Sequence, residues 1–138
     1  MSADRPTLLV IEDDRGIQRQ MRWALDDYEL VFAEDQVEAV AALRRCEPAV
    51  VTLDLGLPPA PDSTEIGFAT LETIRSLAPS TKIVVVTGQS DRPNAMKAIA
   101  MGATDFFEKP FDPDTLSLVV KRTMRIAELE RENRRLHE

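Results

Sequence analysis

Five short runs rich in aliphatic and aromatic residues punctuate the chain: Leu8 to Ile11, Glu29 to Ala33, Ala49 to Leu53, Ile83 to Thr87 and Asp105 to Phe107. The runs led by Leu8, Val50 and Ile83 are almost continuously apolar. A strand that alternates apolar and polar residues buries one face, whereas a continuous run buries both, as in a parallel sheet covered by helices. Glu29-Leu30-Val31-Phe32 reads instead as an edge strand. Between the runs the apolar spacing becomes helical. Ile17, Met21, Ala24 and Leu25 share one helix face. Val37, Val40 and Ala41 repeat the pattern behind an N-cap at Asp35. Phe68, Leu71, Ile74 and Ala78 follow Gly67, and Pro79 ends that helix. Asn94 to Met101 forms a fourth helix ahead of Gly102, a terminating glycine. Asp112 caps a fifth, with Pro113 in its first turn, and no breaker interrupts it from Asp114 to Glu138.

The order is therefore (βα)5, and the fold class is α/β. Strand–helix alternation with right-handed crossovers predicts a doubly wound, five-stranded parallel sheet of the flavodoxin-like kind, with an extended C-terminal helix. In such sheets the functional site lies at the carboxyl ends of the strands, where the strand order reverses.

Composition narrows the chemistry. The chain has 138 residues, enough for one domain. It carries 24 acids against 17 lysines and arginines, a net charge of -7, which makes it a poor nucleic-acid binder by itself. It has one cysteine, Cys46, and one histidine, His137, which leaves no material for an intrachain disulfide, a Cys/His zinc site or a Ser-His-Asp triad. No apolar run is long enough for a membrane helix or a signal-peptide core, so a cytoplasmic location without membrane contact is expected.

The strand ends then supply a coherent set. Glu12, Asp13 and Asp14 follow the first strand, Asp54 the third, Thr87 and Gly88 the fourth, and Lys109 and Pro110 the fifth. Clustered carboxylates repel one another unless a cation joins them. Hard oxygen ligands suit magnesium. A lysine and a threonine hydroxyl beside such an ion fit a small phosphoryl group, carried by one of the carboxylates itself. No Walker motif and no G-x-G-x-x-G follows a strand, which argues against a bound nucleotide. Taken singly, each residue has an ordinary explanation: Asp14 can cap the first helix, and Lys109-Pro110 can be a turn. Their joint order at four strand ends is what carries the functional reading.

The stretches Leu-Leu-Val-Ile-Glu12-Asp13-Asp14, Val-Val-Thr-Leu-Asp54-Leu-Gly-Leu-Pro58, Val-Val-Val-Thr87-Gly and Phe106-Phe-Glu-Lys109-Pro110-Phe resemble response-regulator receiver domains, the CheY-like family of two-component signalling. The resemblance spans about Thr7 to Met124. It implies that Asp54 accepts phosphate from a sensor histidine kinase. It implies a magnesium (or manganese) site made by Asp13, Asp54 and the Gly56 carbonyl, with Glu12 acting through water. Lys109 would pair with the phosphoryl oxygens, through a cis peptide to Pro110. Thr87 would move toward the phosphoryl group, Phe106 would turn inward behind it, and Gly88 would leave room for that motion. The output surface would be the fourth helix, fifth strand and fifth helix.

The chain departs from the pattern at Pro59 to Ile66, about five residues more than the family's usual spacing before Gly67. A tolerated surface loop is the simpler reading, and a lid over the site the sharper one. Gln89 occupies a position that tunes hydrolysis in the family. In the tail, Ile126, Leu129, Asn133 and Leu136 fit an a-d-a-d pattern, and asparagine at an a position favours a parallel two-stranded register. Residues 1–124 are thus expected to form the receiver, and 125–138 the start of a coiled-coil linker. Lys109-Pro-Phe-Asp112-Pro-Asp followed by a long helix resembles the N-terminal domain of NtrC-like regulators. In those an ATPase domain and a DNA-binding domain follow. The wording around Asp54 and Met21 also resembles regulators tied to exosortase and exopolysaccharide genes. Two other classes compete. A small aspartyl-phosphate phosphohydrolase would carry a second aspartate where Gly56 stands, and a degenerate receiver acting only as an interaction module would not keep Asp13, Asp54, Thr87 and Lys109.

Overall fold

The computed structural model describes residues 5–57, 64–88 and 91–136. Five strands and five helices alternate: β1 (Thr7–Ile11), α1 (Arg15–Ala24), β2 (Glu29–Ala33), α2 (Gln36–Cys46), β3 (Val50–Asp54), α3 (Glu65–Leu77), β4 (Lys82–Thr87), α4 (Arg92–Ala100), β5 (Asp105–Glu108) and α5 (Pro113–Leu136). All pairings are parallel and the order is β2-β1-β3-β4-β5. The three continuous apolar runs are the three inner strands, and every residue of β3 is buried. β2, with its polar start, lies at an edge, as its composition predicts.

Two cores flank the sheet. Leu9, Ile11, Val51, Leu53 and Val85 pack on one face with Leu43, Phe68, Leu71 and Ile74. Leu8, Val10, Val50, Val84 and Val86 pack on the other with Met21, Leu25, Leu116 and Val120. The order reverses at β1, so the loops after β1 and β3 border the crevice of the switch point.

Several boundaries differ from the sequence expectation. α3 begins at Glu65, so Gly67 lies inside the helix rather than before it. The amide of Phe68 already donates to the Thr64 carbonyl at 2.9 Å, closing the first turn early. α4 begins at Arg92, because Ala95 N–H bonds to Asp91 O at 3.2 Å. Asp54 is the last residue of β3 rather than the residue after it. Asp35 caps α2 by accepting from Glu38 N–H at 2.8 Å, and Gly102 takes a left-handed φ of 112°. The Lys109–Pro110 peptide is cis. Pro58, most of the Pro59 to Ile66 insertion, Gln89, His137 and Glu138 lie outside the described residues.

Candidate functional site

The carboxyl ends of β1, β3, β4 and β5 meet around a cleft of about 430 Å³, lined by Glu12, Asp13, Asp14, Asp54, Gly56, Thr64, Thr87, Asp91 and Lys109 among others. A larger groove, about 920 Å³, opens at the opposite end of the sheet among Arg5, Pro48, Pro79 and Met124. The acid cluster lies in the smaller cleft, and the chemistry goes with it.

Local structure fixes each side chain there. The amide of Glu12 donates to Ala33 O at 2.9 Å, which carries the β1–β2 ladder one residue past the strand. Asp14 caps α1, accepting from Gly16 N–H at 2.8 Å and Ile17 N–H at 3.1 Å. The ordinary reading of Asp14 is therefore its role here, which leaves Glu12 and Asp13 for the site. Asp54 Oδ1 accepts from Gly56 N–H at 3.0 Å, which folds the chain after β3 back over the carboxylate. Lys109 N–H donates to Thr87 O at 2.8 Å and ties the lysine to the end of β4.

Lys109 does not wait free for an anion. Its Nζ stands 3.2 Å from Asp54 Oδ2 and 3.1 Å from Glu12 Oε1. It donates a hydrogen bond to Asp54 and forms an ion pair with Glu12. Glu12 is 1% exposed. Burial pushes its carboxyl up to about 8; the Asp54 charge adds to the rise, and Lys109 opposes it. Burial also works against the Lys109 ammonium, but Asp54 and Glu12 outweigh it and hold that amine above its ordinary value.

The donor set fits a hard divalent cation. Glu12, Asp13 and Asp54 each offer a carboxylate oxygen, all within 4.8 Å of one another. Oxygen-only ligands match magnesium or manganese rather than zinc or copper. Glu12 Oε1 is buried and faces a cation already, the Lys109 ammonium at 3.1 Å.

Glu12 also sets a pH dependence. Its folded-state value lies above the ordinary 4.5, so folding favours the protonated acid. That contribution to stability is full below about 4.5, is lost as pH rises toward about 8, and stays lost above it. Lys109 adds nothing in this window, because its ordinary value is already 10.5. In EDTA, the stability difference between wild type and Glu12→Gln should therefore turn against wild type as pH rises from about 5 to 8. Thermal melts across that range check it, and a difference that does not change with pH contradicts it.

Thr87 is buried, and its Oγ1 has no hydrogen-bond partner among the described residues. A Cβ built on the neighbouring Gly88 would meet nothing within 4 Å, so there is open space beside the threonine. Phe106 is half-buried and packs against the α2–α3 core. The structure thus brings Glu12, Asp13, Asp54, Gly56, Thr87 and Lys109 to one cleft. Ile126, Leu129, Asn133 and Leu136 lie far along α5 and are exposed. Asp91 was missed by the sequence reading. It lines the cleft and accepts from Asn94 Nδ2 at 2.9 and 3.0 Å. Its place just before α4 was the available signal.

Comparison with known proteins agrees with this geometry. The family model of the response regulator receiver domain matches residues 8–121. Regulatory protein AtoC of Escherichia coli K12 is 28% identical over 133 residues, covering 95% of this chain and 28% of AtoC. The C4-dicarboxylate transport transcriptional regulatory protein DctD of Rhizobium meliloti is 32% identical over 133 residues, with the same two coverages, 95% and 28%. The crystal structure of NtrX from Brucella abortus superposes with a TM-score of 0.87 at 34% identity, covering 96% of this chain and 29% of that one. The chain thus spans 28% of the length of both curated relatives. The family model spans most of the chain and the backbone superposes on that of NtrX, and the chain belongs to the response regulator receiver domain family, with NtrC-like regulators among its relatives.

Proposed function

We propose that the chain is a phosphorylation-dependent switch in which Asp54 takes a phosphoryl group from the histidine of a sensor kinase. The observation that carries this reading is the position of Lys109, held between Glu12 and Asp54 at the mouth of the cleft. Asp54 Oδ would attack phosphorus as the phosphorus–nitrogen bond to the kinase histidine breaks, and the imidazole leaves with its nitrogen lone pair. Lys109 would then exchange its contact with Glu12 for the new phosphoryl oxygens. Thr87 would give its unpartnered hydroxyl to another of them. These contacts exist only with the phosphoryl group present, which is the differential interaction that a two-state switch needs. Phe106 would follow Thr87 inward.

Asp13, Asp54, the Gly56 carbonyl and, through water, Glu12 would hold magnesium or manganese. Such an ion supplies positive charge beside the phosphoryl oxygens. The chain turns over no external substrate; it would catalyse only its own phosphorylation and slow dephosphorylation.

Output would pass through α4, β5 and α5. Met96, Ile99 and Leu118 are exposed on that side, and Arg122 Nη2 bonds Asp105 Oδ2 at 2.8 Å to join α5 to β5. Residues 1–124 would be the receiver and 125–138 the start of a linker. Ile126, Leu129 and Leu136 form an exposed apolar stripe suited to a homodimer. In the whole protein a partner ATPase and DNA-binding domain would read the switch, in the cytoplasm.

The test is incubation with magnesium and acetyl phosphate, followed by intact mass. The protein should gain one phosphoryl group, and none in EDTA. No gain with magnesium present overturns the reading. Sedimentation of the two samples reads association. Monomers in both would remove the α5 stripe as a dimer seam.

A further inference from the structure

Five acids line the cleft: Glu12, Asp13, Asp14, Asp54 and Asp91. Four of them have a task. Asp14 caps α1 through two backbone amides. Glu12 and Asp54 hold the Lys109 ammonium between them. Asp13 completes the carboxylate cluster with those two. Asp91 does none of this. It stands at the N-cap position of α4, yet its side chain accepts no capping hydrogen bond. Pro93, in the first turn of that helix, has no N–H to offer. The Asp91 carboxylate accepts instead from one neutral donor, Asn94 Nδ2, at 3.0 Å to one oxygen and 2.9 Å to the other. A donor shared by both oxygens orients the carboxylate and leaves its charge uncancelled. Among the described residues no ion pair reaches it.

Asp54 is buried at the inner end of the cleft, whereas Asp91 is half-buried and follows the exposed Gly88 at its rim. In phosphoryl transfer the attacking and leaving atoms lie roughly in line through phosphorus. Attack by Asp54 therefore directs the leaving group away from the cleft floor, toward the rim. The charge of that leaving group then matters. A phosphoimidazole protonated on its second nitrogen, or a phosphoramidate protonated on its nitrogen, carries a positive charge there. As the phosphorus–nitrogen bond breaks, nitrogen keeps the electron pair, and imidazole or ammonia leaves neutral. An acyl phosphate has no such positive charge. Its phosphorus–oxygen bond breaks with the pair going to oxygen, and a carboxylate anion leaves. A fixed negative charge at the rim favours the first class and opposes the second.

We propose that Asp91 is a specificity-determining residue: its carboxylate selects phosphodonors with a cationic nitrogen leaving group, such as a phosphohistidine, over acyl phosphates. The inference rests on the reading of Asp54 as the phosphoacceptor. Repulsion between Asp91 and the phosphoryl oxygens is common to both classes and cancels in the ratio of their rates. One unit charge facing an open, wet cleft within a Debye length, about 8–10 Å, shifts that ratio about fivefold.

The experiment measures initial phosphorylation rates of the full chain by intact mass, with magnesium, near neutral pH. Phosphoramidate and acetyl phosphate are the two donors, each at low and at high salt, on wild type, Asp91→Asn and Asp91→Glu. The phosphoramidate-to-acetyl-phosphate rate ratio should fall about fivefold in Asp91→Asn. It should stay within about twofold of wild type in Asp91→Glu, which keeps the charge. A merely structural aspartate would change both rates together and leave the ratio unmoved. Salt should lower the wild-type ratio by screening the charge, and should lower that of Asp91→Asn less. An equal ratio in wild type and Asp91→Asn overturns the role of Asp91 and leaves Asp54 standing as acceptor. A fall in Asp91→Glu as large as in Asp91→Asn assigns the effect to shape and overturns it too. If Asp91→Asn does not fold, wild type alone decides: a ratio that does not change with salt overturns the proposal. Failure of both donors to label wild type overturns the reading on which it rests.

Discussion

Replacing Gly67 with alanine is expected to destabilise the domain by about 3 kcal/mol, although it puts a better helix former into α3. A Cβ at this position would collide with the Leu55 carbonyl oxygen and stand 2.5 Å from Leu55 Cα. Both are backbone atoms, so no side-chain rotation relieves the clash. α3 or the chain after β3 must move, and either motion disturbs the core that both share. Overpacking of this kind costs about 1–3 kcal/mol and occasionally more, against about 1 kcal/mol gained from helix propensity. The clash here is with backbone, which places it at or beyond the top of that range. For a domain of this size, 3 kcal/mol lowers the melting temperature by about 10 °C. The shifted backbone would be Leu55–Gly56, next to Asp54, so phosphoryl uptake should fall as well. A melting temperature equal to or above wild type would show that α3 does not approach β3 this closely.

Lys109→Met is expected to slow phosphorylation by acetyl phosphate about a hundredfold or more while leaving magnesium binding intact. The ammonium sits 3.1 Å from Glu12 and 3.2 Å from Asp54. With the ammonium gone, two buried carboxylates face each other without their cation, and a metal ion becomes the remaining source of positive charge. Magnesium affinity should therefore hold or rise. Transfer should still fail, because the charge that develops on the phosphoryl oxygens has lost its fixed ammonium. Removal of one preorganised electrostatic contact costs about 10²–10³ in rate. Initial rates by intact mass, beside a magnesium titration, separate the two effects. A wild-type rate would assign Lys109 to structure alone.

Much of this was legible along the chain because the signals are local. Continuous apolar runs marked β1, β3 and β4 as doubly buried, and the polar start of β2 marked an edge. Acids, hydroxyl and lysine at the ends of strands predicted one rim, and the parallel order brings them there. What stayed hidden depends on distant segments meeting. Gly67 read as a residue before a helix, because its reason for being glycine is Leu55, twelve positions earlier. Lys109 read as a ligand for phosphate alone, and its present partners became visible only when β5 was placed beside β4, and β1 beside β3. Asp14 was the reverse case: its capping role is set by the two amides that follow it, and needed no tertiary information.

The central claim is that phosphate lands on Asp54 and on no other acid of the cleft. Borohydride reduces an aspartyl phosphate to homoserine, which marks the acceptor for peptide sequencing by mass spectrometry. After incubation with magnesium and acetyl phosphate, wild type should show homoserine at position 54 alone, and Asp54→Asn should show none. Homoserine at Asp13, or equal labelling of Asp54→Asn, would contradict the account.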